Sequence, residues 1–192
     1  LEVNQSALDF IEASTEDVLN LPFWQTPWWS WSEASQKELK KAPQDQPFFG
    51  LWELECTHVP YHYEDKFTVY TPAHAYFGGK DQIGSLKNDY DNAILNCDHV
   101  IKTFFDFLRD ENLADKTVVI LASDHGEAFF DHGKQLFHGG SLHQEQIRVP
   151  LLIHFPLALR DRYRADISNI LQCNQKRPVQ LADILPTIVD FA

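Results

Sequence analysis

The apolar run Val118-Val119-Ile120-Leu121-Ala122 passes without a break into Ser123-Asp124-His125-Gly126-Glu127. A short run of β-branched and aliphatic residues predicts a buried strand. At its end a carboxylate and an imidazole stand side by side, where packing alone gives no reason for either. Such a pair suits a divalent cation, because the carboxylate supplies charge and the neutral imidazole a borderline-soft nitrogen. Gly126 is expected to turn the chain sharply while both ligands point outward. The residues also admit a blander reading, a capping Asp beside a hydrogen-bonded His.

The rest of the chain alternates strand and helix signals, which predicts an α/β class with a mostly parallel sheet. Residues 5–20 read as a polar helix with Ala7, Phe10, Ile11 and Val18 on one side. Leu21 to Trp31 is rich in tryptophan and broken by Pro22 and Pro27, and reads as a surface hairpin or an aromatic substrate loop. Residues 33–46 carry charge and no motif. Phe48 to Leu54 reads as the first strand and runs into Cys56-Thr57-His58-Val59-Pro60-Tyr61. Gly78-Gly79 marks a turn. Ile94, Cys97, Ile101, Phe104, Phe105 and Leu108 recur at helical spacing, predicting a helix from Asn92 to about Glu111 with one broad apolar face. Thr117–Ala122 and Leu151–Phe155 are the next strands. A closing helix is expected around Ala182–Phe191, with Pro186 tolerable only near its first turn. Residues 1–45 form a peripheral helix and loop on this reading, and residues 46–192 the motif-bearing core.

Composition narrows the function classes. A chain of 192 residues, 44% hydrophobic and 13% aromatic, is globular, and most simply one domain. A formal charge of −12 leaves no basic stripe to track phosphates, which argues against a nucleic-acid partner. Nothing approaches the ~20 apolar residues of a membrane span, so any anchor would lie outside this chain. Cys56, Cys97 and Cys173 form no CxxC motif and leave at least one thiol unpaired. The chain opens at Leu1 and contains no Met, which reads as a fragment or a processed product.

In open sheets, sites form beyond the carboxyl ends of strands. Asp124 and His125 end one predicted strand, and Thr57 and His58 end another. If those strands are neighbours, the polar groups converge. Five of the nine histidines fall between positions 125 and 154. The segment after Glu127 carries His132, Lys134 and His138 and is expected to fold back over the crevice. His138 reads as a functional or an ordinary loop histidine, and His58 as a site residue or a strand terminator. His62, His74, His99 and His154 read as surface or core residues, and Glu127 as a supporting or structural carboxylate. Two ligands do not hold a catalytic ion, so others are required.

Tyr90-Asp91-Asn92-Ala93 with Asp98, Ser123-Asp124-His125-Gly126-Glu127, Asp131-His132-Gly133, His138-Gly139, Arg148-Val149-Pro150-Leu151 and Leu181-Ala182-Asp183-Ile184-Leu185-Pro186-Thr187 together resemble the C-terminal half of a sulfatase-like member of the alkaline phosphatase superfamily. Pro47-Phe48-Phe49 and Thr57-His58-Val59-Pro60-Tyr61 resemble the strand and loop of its anion-binding histidine. The resemblance covers roughly residues 45–192. It implies a three-layer α/β/α sandwich, here incomplete, with a divalent metal (Zn, Mn, Mg or Ca) at the sheet's carboxyl edge. Asp124 and His125 would be ligands. His138 would ligate a second ion or hold the substrate oxyanion. His58 would contact the sulfate or phosphate, or protonate the leaving group, and Lys134 would help bind substrate. A metal of this kind polarises ester oxygens, and each stabilising donor is worth ~2–4 kcal/mol.

The family's nucleophile is a Cys or Ser in Cys/Ser-x-Pro-x-Arg, or a Thr in phospho-transferring branches. Neither context occurs here, since Cys56 is followed by Thr-His-Val-Pro with no Arg. The chain therefore reads as the second half of a longer domain. Alone, it is expected to bind metal poorly and turn over nothing. The imidazole of the pair suits Zn or Mn better than Ca. The expected function is metal-dependent hydrolysis of a sulfate or phosphate ester. The alternatives are phosphoethanolamine or glycerophosphate transfer, and a non-catalytic sulfatase-like binding domain. The implied setting is periplasmic or extracytoplasmic, with an inner-membrane anchor possible only outside this chain.

Overall fold

The largest element is a helix of 28 residues, α1 (Ile83–Asp110), and its most buried positions include polar ones. The structure, a computed structural model, describes residues 36, 37, 40, 41, 49–75, 80–156 and 177–191. The predicted 5–20 helix, the tryptophan-rich loop and the Gly78-Gly79 turn lie outside these residues. The chain divides into two compact units, Leu1–Phe107 and Leu108–Ala192, and the boundary falls in the last turn of α1.

In the first unit, α1 begins at Ile83 rather than at Asn92. The apolar periodicity undervalued this stretch because Asp89 and Asn92 are buried along with Leu86 and Ala93, whereas Ile94 stands 42% exposed. The polar side chains are inside because their packing partner is an irregular segment with open backbone groups. Asn92 Oδ1 accepts the Val69 and Tyr70 N–H groups at 3.0 and 2.9 Å, and its Nδ2 donates to Tyr70 O at 3.0 Å. One turn to either side, Asn88 Nδ2 donates to Pro72 O and Asn96 Oδ1 accepts from Glu64 N. Asp89 accepts the Tyr63 hydroxyl and the N–H groups of His74 and Ala75. Burial and this carboxylate hold the Tyr63 hydroxyl above its ordinary range. Residues four apart share a helix face, so Asn88, Asn92 and Asn96 form a polar stripe that fastens the 64–72 segment. Asn92→Ala would orphan two donors and an acceptor. An unmade buried bond costs ~1–3 kcal/mol, and Val69 and Tyr70 are partly exposed. A loss of about 2–4 kcal/mol is therefore expected, read from the urea midpoint.

Of the predicted strand at Phe48–Leu54, the described residues 49–54 form no strand. They pair with no strand among the described residues, and Phe49 and Leu51 are exposed. Strand character needs a ladder partner, which the apolar run by itself cannot supply. Trp52 instead packs on Phe104, and Tyr61 meets Tyr90 edge-on with ring centroids 5.3 Å apart.

In the second unit, α1 ends on Asn112 at φ 57, with Leu113 N bonded to Leu108 O and Asn112 N to Arg109 O. That left-handed close is the pattern usually given to Gly. The chain then enters β1 (Val119–Ala122). β2 (Ala128–Phe129) and β3 (Leu136–Phe137) form a hairpin, and a short helix α2 (Gln144–Ile147) leads through Arg148-Val149-Pro150 into β4 (Leu151–His154). α3 (Ile184–Phe191) closes the chain, with Pro186 in its first turn as the sequence required.

The sheet direction differs from the prediction. β4 pairs with β1 antiparallel, Ala122 opposite Leu151 and Val119 opposite His154, and β2 and β3 are also antiparallel. A parallel return needs a crossover to the opposite end of the strand. Here the 123–150 excursion leaves and re-enters at the same edge, because it closes on itself through the hairpin and α2. β4 also alternates, with Leu152 outward, rather than being buried on both faces. The fold is thus mixed α and β with small antiparallel ladders. No helix among the described residues is long and apolar enough to cross a membrane.

Candidate metal centre

β1 delivers Asp124 and His125 just past its last residue, and local bonds fix both. Ser123 Oγ donates to His125 O at 2.6 Å. Asp124 Oδ1 accepts the His125 N–H at 2.9 Å, which leaves Oδ2 pointing elsewhere. His125 Nδ1 lies 3.0 Å from Gly126 O. A carbonyl can only accept, so that contact places the proton on Nδ1 and leaves Nε2 as a lone-pair donor. Nε2 faces Asp124 Oδ2 at 3.6 Å.

Those two atoms test the fit to a cation. Ligands at ~2.0–2.1 Å in a tetrahedral site lie roughly 3.3 Å apart, close to the observed separation. A metal-bound histidine usually gives its other N–H to a carbonyl or carboxylate, and His125 does so. The Asp124 side chain is 83% exposed, so its carboxylate is accessible. The residues present fit a divalent ion. Among the described residues no group of three or more His, Cys, Asp and Glu is arranged to hold one.

Gly126 does not serve the turn the sequence suggested. A Cβ there would collide with the backbone oxygen of Glu145, and Gly126 N bonds to Gln146 O at 2.7 Å. The residue is Gly because α2 lies directly against it, and no positive φ is involved.

His138 is brought to the pair. Its ring stacks on His125 with centroids 3.9 Å apart and planes 28° apart. Its Nδ1 lies 3.2 Å from Glu127 Oε1, and the Glu127 side chain is only 5% exposed. The same tautomer logic places the proton of the neutral His138 ring on Nδ1. Phe137, immediately before it, adopts φ 66, a left-handed conformation costly for a bulky residue. Gln146 anchors both arms: its carbonyl takes Gly126 N–H and its Nε2 donates to Phe137 O at 3.3 Å. Sequence reasoning passed over Gln146, since no local pattern marks a residue whose partners lie nine and twenty positions away.

The other candidates sort differently. Lys134 stands exposed in the hairpin tip, with no contact to the His125–His138 pair among the described residues. His132 stacks on His143 at 3.9 Å and lies 3.3 Å from Glu145 Oε2, making a second imidazole pair apart from the first. His58 belongs to the first unit, in a turn where its N–H bonds to Glu55 O and its Nδ1 lies 2.7 Å from Val59 O. His74 and His99 pack on Tyr63 and Phe67, as ordinary structural histidines do.

The profile of the Sulfatase family matches residues 24–192. An arylsulfatase of Clostridium perfringens is 28% identical over 113 residues, covering 59% of this chain and 22% of that protein. Human arylsulfatase K is 28% identical over 162 residues, covering 84% of the chain and 26% of that protein. A Kdo(2)-lipid A phosphoethanolamine 7''-transferase of Salmonella typhimurium is 37% identical over 81 residues, covering 41% of the chain and 13% of that protein. The chain thus spans about a quarter or less of the length of these relatives.

Proposed function

The chain belongs to the sulfatase family, within the alkaline phosphatase superfamily, and on that premise we propose that it contributes the metal-binding and oxyanion-stabilising part of a sulfate or phosphate ester hydrolase. The observation that carries the reading is the Asp124 Oδ2 and His125 Nε2 pair, 3.6 Å apart and locked by neighbouring bonds, with His138 stacked beside it. On this reading Asp124 and His125 hold a divalent ion (Zn, Mn, Mg or Ca). Bound there, it would polarise the ester oxygens and favour the ionised nucleophile.

Other residues of the chain would act beside that ion. His138, with Nδ1–H given to Glu127, would offer an Nε2 lone pair to a second ion or, as the imidazolium beside that carboxylate, an Nε2–H to the substrate's developing negative charge. Preorganised donors of this kind need no rearrangement as charge develops. His58 would contact the sulfate or phosphate, or protonate the leaving oxygen, and Lys134 would add a charge at the rim. The nucleophile that forms the covalent intermediate, and the remaining acidic ligand, would come from outside this chain, as would the strands that complete a three-layer α/β/α domain. A periplasmic or extracytoplasmic setting, with any membrane anchor also outside the chain, goes with this proposal.

A second reading is transfer of a phosphoethanolamine-type group. The imidazole in the ligand pair favours it, because it suits transition metals better than Ca, and so does the similarity to the phosphoethanolamine transferase. Full-length protein loaded in turn with Zn, Mn, Mg and Ca, and given p-nitrophenyl sulfate or a phosphate diester, separates the two. Metal-dependent hydrolysis of either ester supports the hydrolase, and passage of the group to an added alcohol acceptor in preference to water supports the transferase. No turnover of either with any metal overturns both in favour of a binding domain.

A further inference from the structure

The first unit carries a feature that the proposed chemistry does not use. Tyr90, Cys97 and Phe104 are spaced by seven, two helical turns, and so share one face of α1. The segment 52–61 runs along that face in the opposite direction, with Trp52 on Phe104 at 5.4 Å and Tyr61 on Tyr90 at 5.3 Å. Between those two ring contacts, Cys56 falls opposite Cys97. The two thiols hydrogen-bond each other and both are half-buried. Three cysteines leave three possible pairings on paper. Among the described residues, Cys56 and Cys97 are the two that the fold brings together.

We propose that Cys56 and Cys97 close into a disulfide under oxidising conditions and staple the segment carrying His58 to α1. The segment is already held against α1 at Trp52, Tyr61 and Glu64, on either side of Cys56. The thiols also differ in reactivity. The Cys97 S–H donates to the Cys56 sulfur, and the Asn96 side chain assists, which holds the Cys56 thiol below its ordinary range despite burial. Cys97 is pushed upward by the same contact and by burial. Cys56 is therefore the attacking thiolate. With glutathione disulfide as oxidant, the Cys56 sulfur attacks one glutathione sulfur, breaking that S–S bond and expelling a glutathione thiolate. Cys97 then loses its proton and displaces the second glutathione from Cys56. The protein gives up two protons and two electrons, and two glutathione thiols are formed. A bridge from 56 to 97 closes a long loop, the case in which chain restriction stabilises most.

The test is peptide mapping of the full chain after incubation in excess oxidised glutathione, with free thiols alkylated before digestion. A linked Cys56–Cys97 peptide pair, lighter by about 2 Da than the reduced peptides, with Cys173 alkylated, is the expected result. Cys173→Ser should retain the link and Cys97→Ser should lose it. Oxidation should raise the thermal midpoint by roughly 5–15 °C in the unaltered chain and not in Cys97→Ser. A link through Cys173, or alkylation of both Cys56 and Cys97 after oxidation, overturns the pairing. An unchanged midpoint in the oxidised chain overturns the staple.

Discussion

Asp124→Ala in the full-length protein is expected to lower turnover of its ester substrate by at least ~10³-fold, since a metal ligand should matter no less than a single oxyanion donor, worth ~10²–10³ in kcat. The expectation follows from what the side chain does. Oδ1 is occupied by the His125 N–H, so the substitution removes one ligand and also frees the backbone that aims the other. Its 83% exposed side chain makes no buried contact of note, so the fold should survive. A loss in kcat with an unchanged denaturation midpoint is the signature of the proposed role. Unchanged kcat would remove Asp124 from the site.

Gly126→Ala is expected to be worse for the fold than for any single bond. The new Cβ would meet a backbone oxygen, that of Glu145, which cannot swing aside as a flexible side chain can. Either α2 moves off or the 123–126 turn does. The first breaks the Gly126 N–Gln146 O bond and the Gln146–Phe137 bond that set His138. The second turns His125 away from Asp124. Overpacking against a rigid neighbour costs about 3 kcal/mol or more, and here it uncouples His125 from His138 as well. Urea denaturation should show a midpoint loss, with residual activity near that of Asp124→Ala. Full stability with full activity would show that the close approach of α2 is not required.

How much of this was legible in the chain depends on whether a feature is local. The end of β1 was readable because an aliphatic run followed at once by Asp and His declares both the strand and the change of purpose. His138 was named as a candidate, but its stacking on His125 depends on a hairpin and on Phe137 at a left-handed φ, which no spacing rule supplies. Gln146 and the Glu127–His138 contact were illegible for the same reason. The start of α1 was missed because Asp89 and Asn92 occupy buried positions that apolar periodicity assigns to Leu or Ile. They are there to satisfy backbone groups of a segment far away in sequence. Phe48–Leu54 has strand composition, yet composition names only a willingness to pair. Sheet direction was beyond reach too, since nothing in Leu151–His154 says from which end the chain returns to β1.

On the proposed function, the end of β1 holds a divalent ion through Asp124 and His125. Anomalous scattering at the metal edge from crystals of the metal-loaded full-length protein tests it most directly. A peak within about 2.0–2.3 Å of an Asp124 carboxylate oxygen and His125 Nε2, lost in Asp124→Ala, is the predicted result. A fully occupied ion bound elsewhere, with neither residue in contact, would contradict the account.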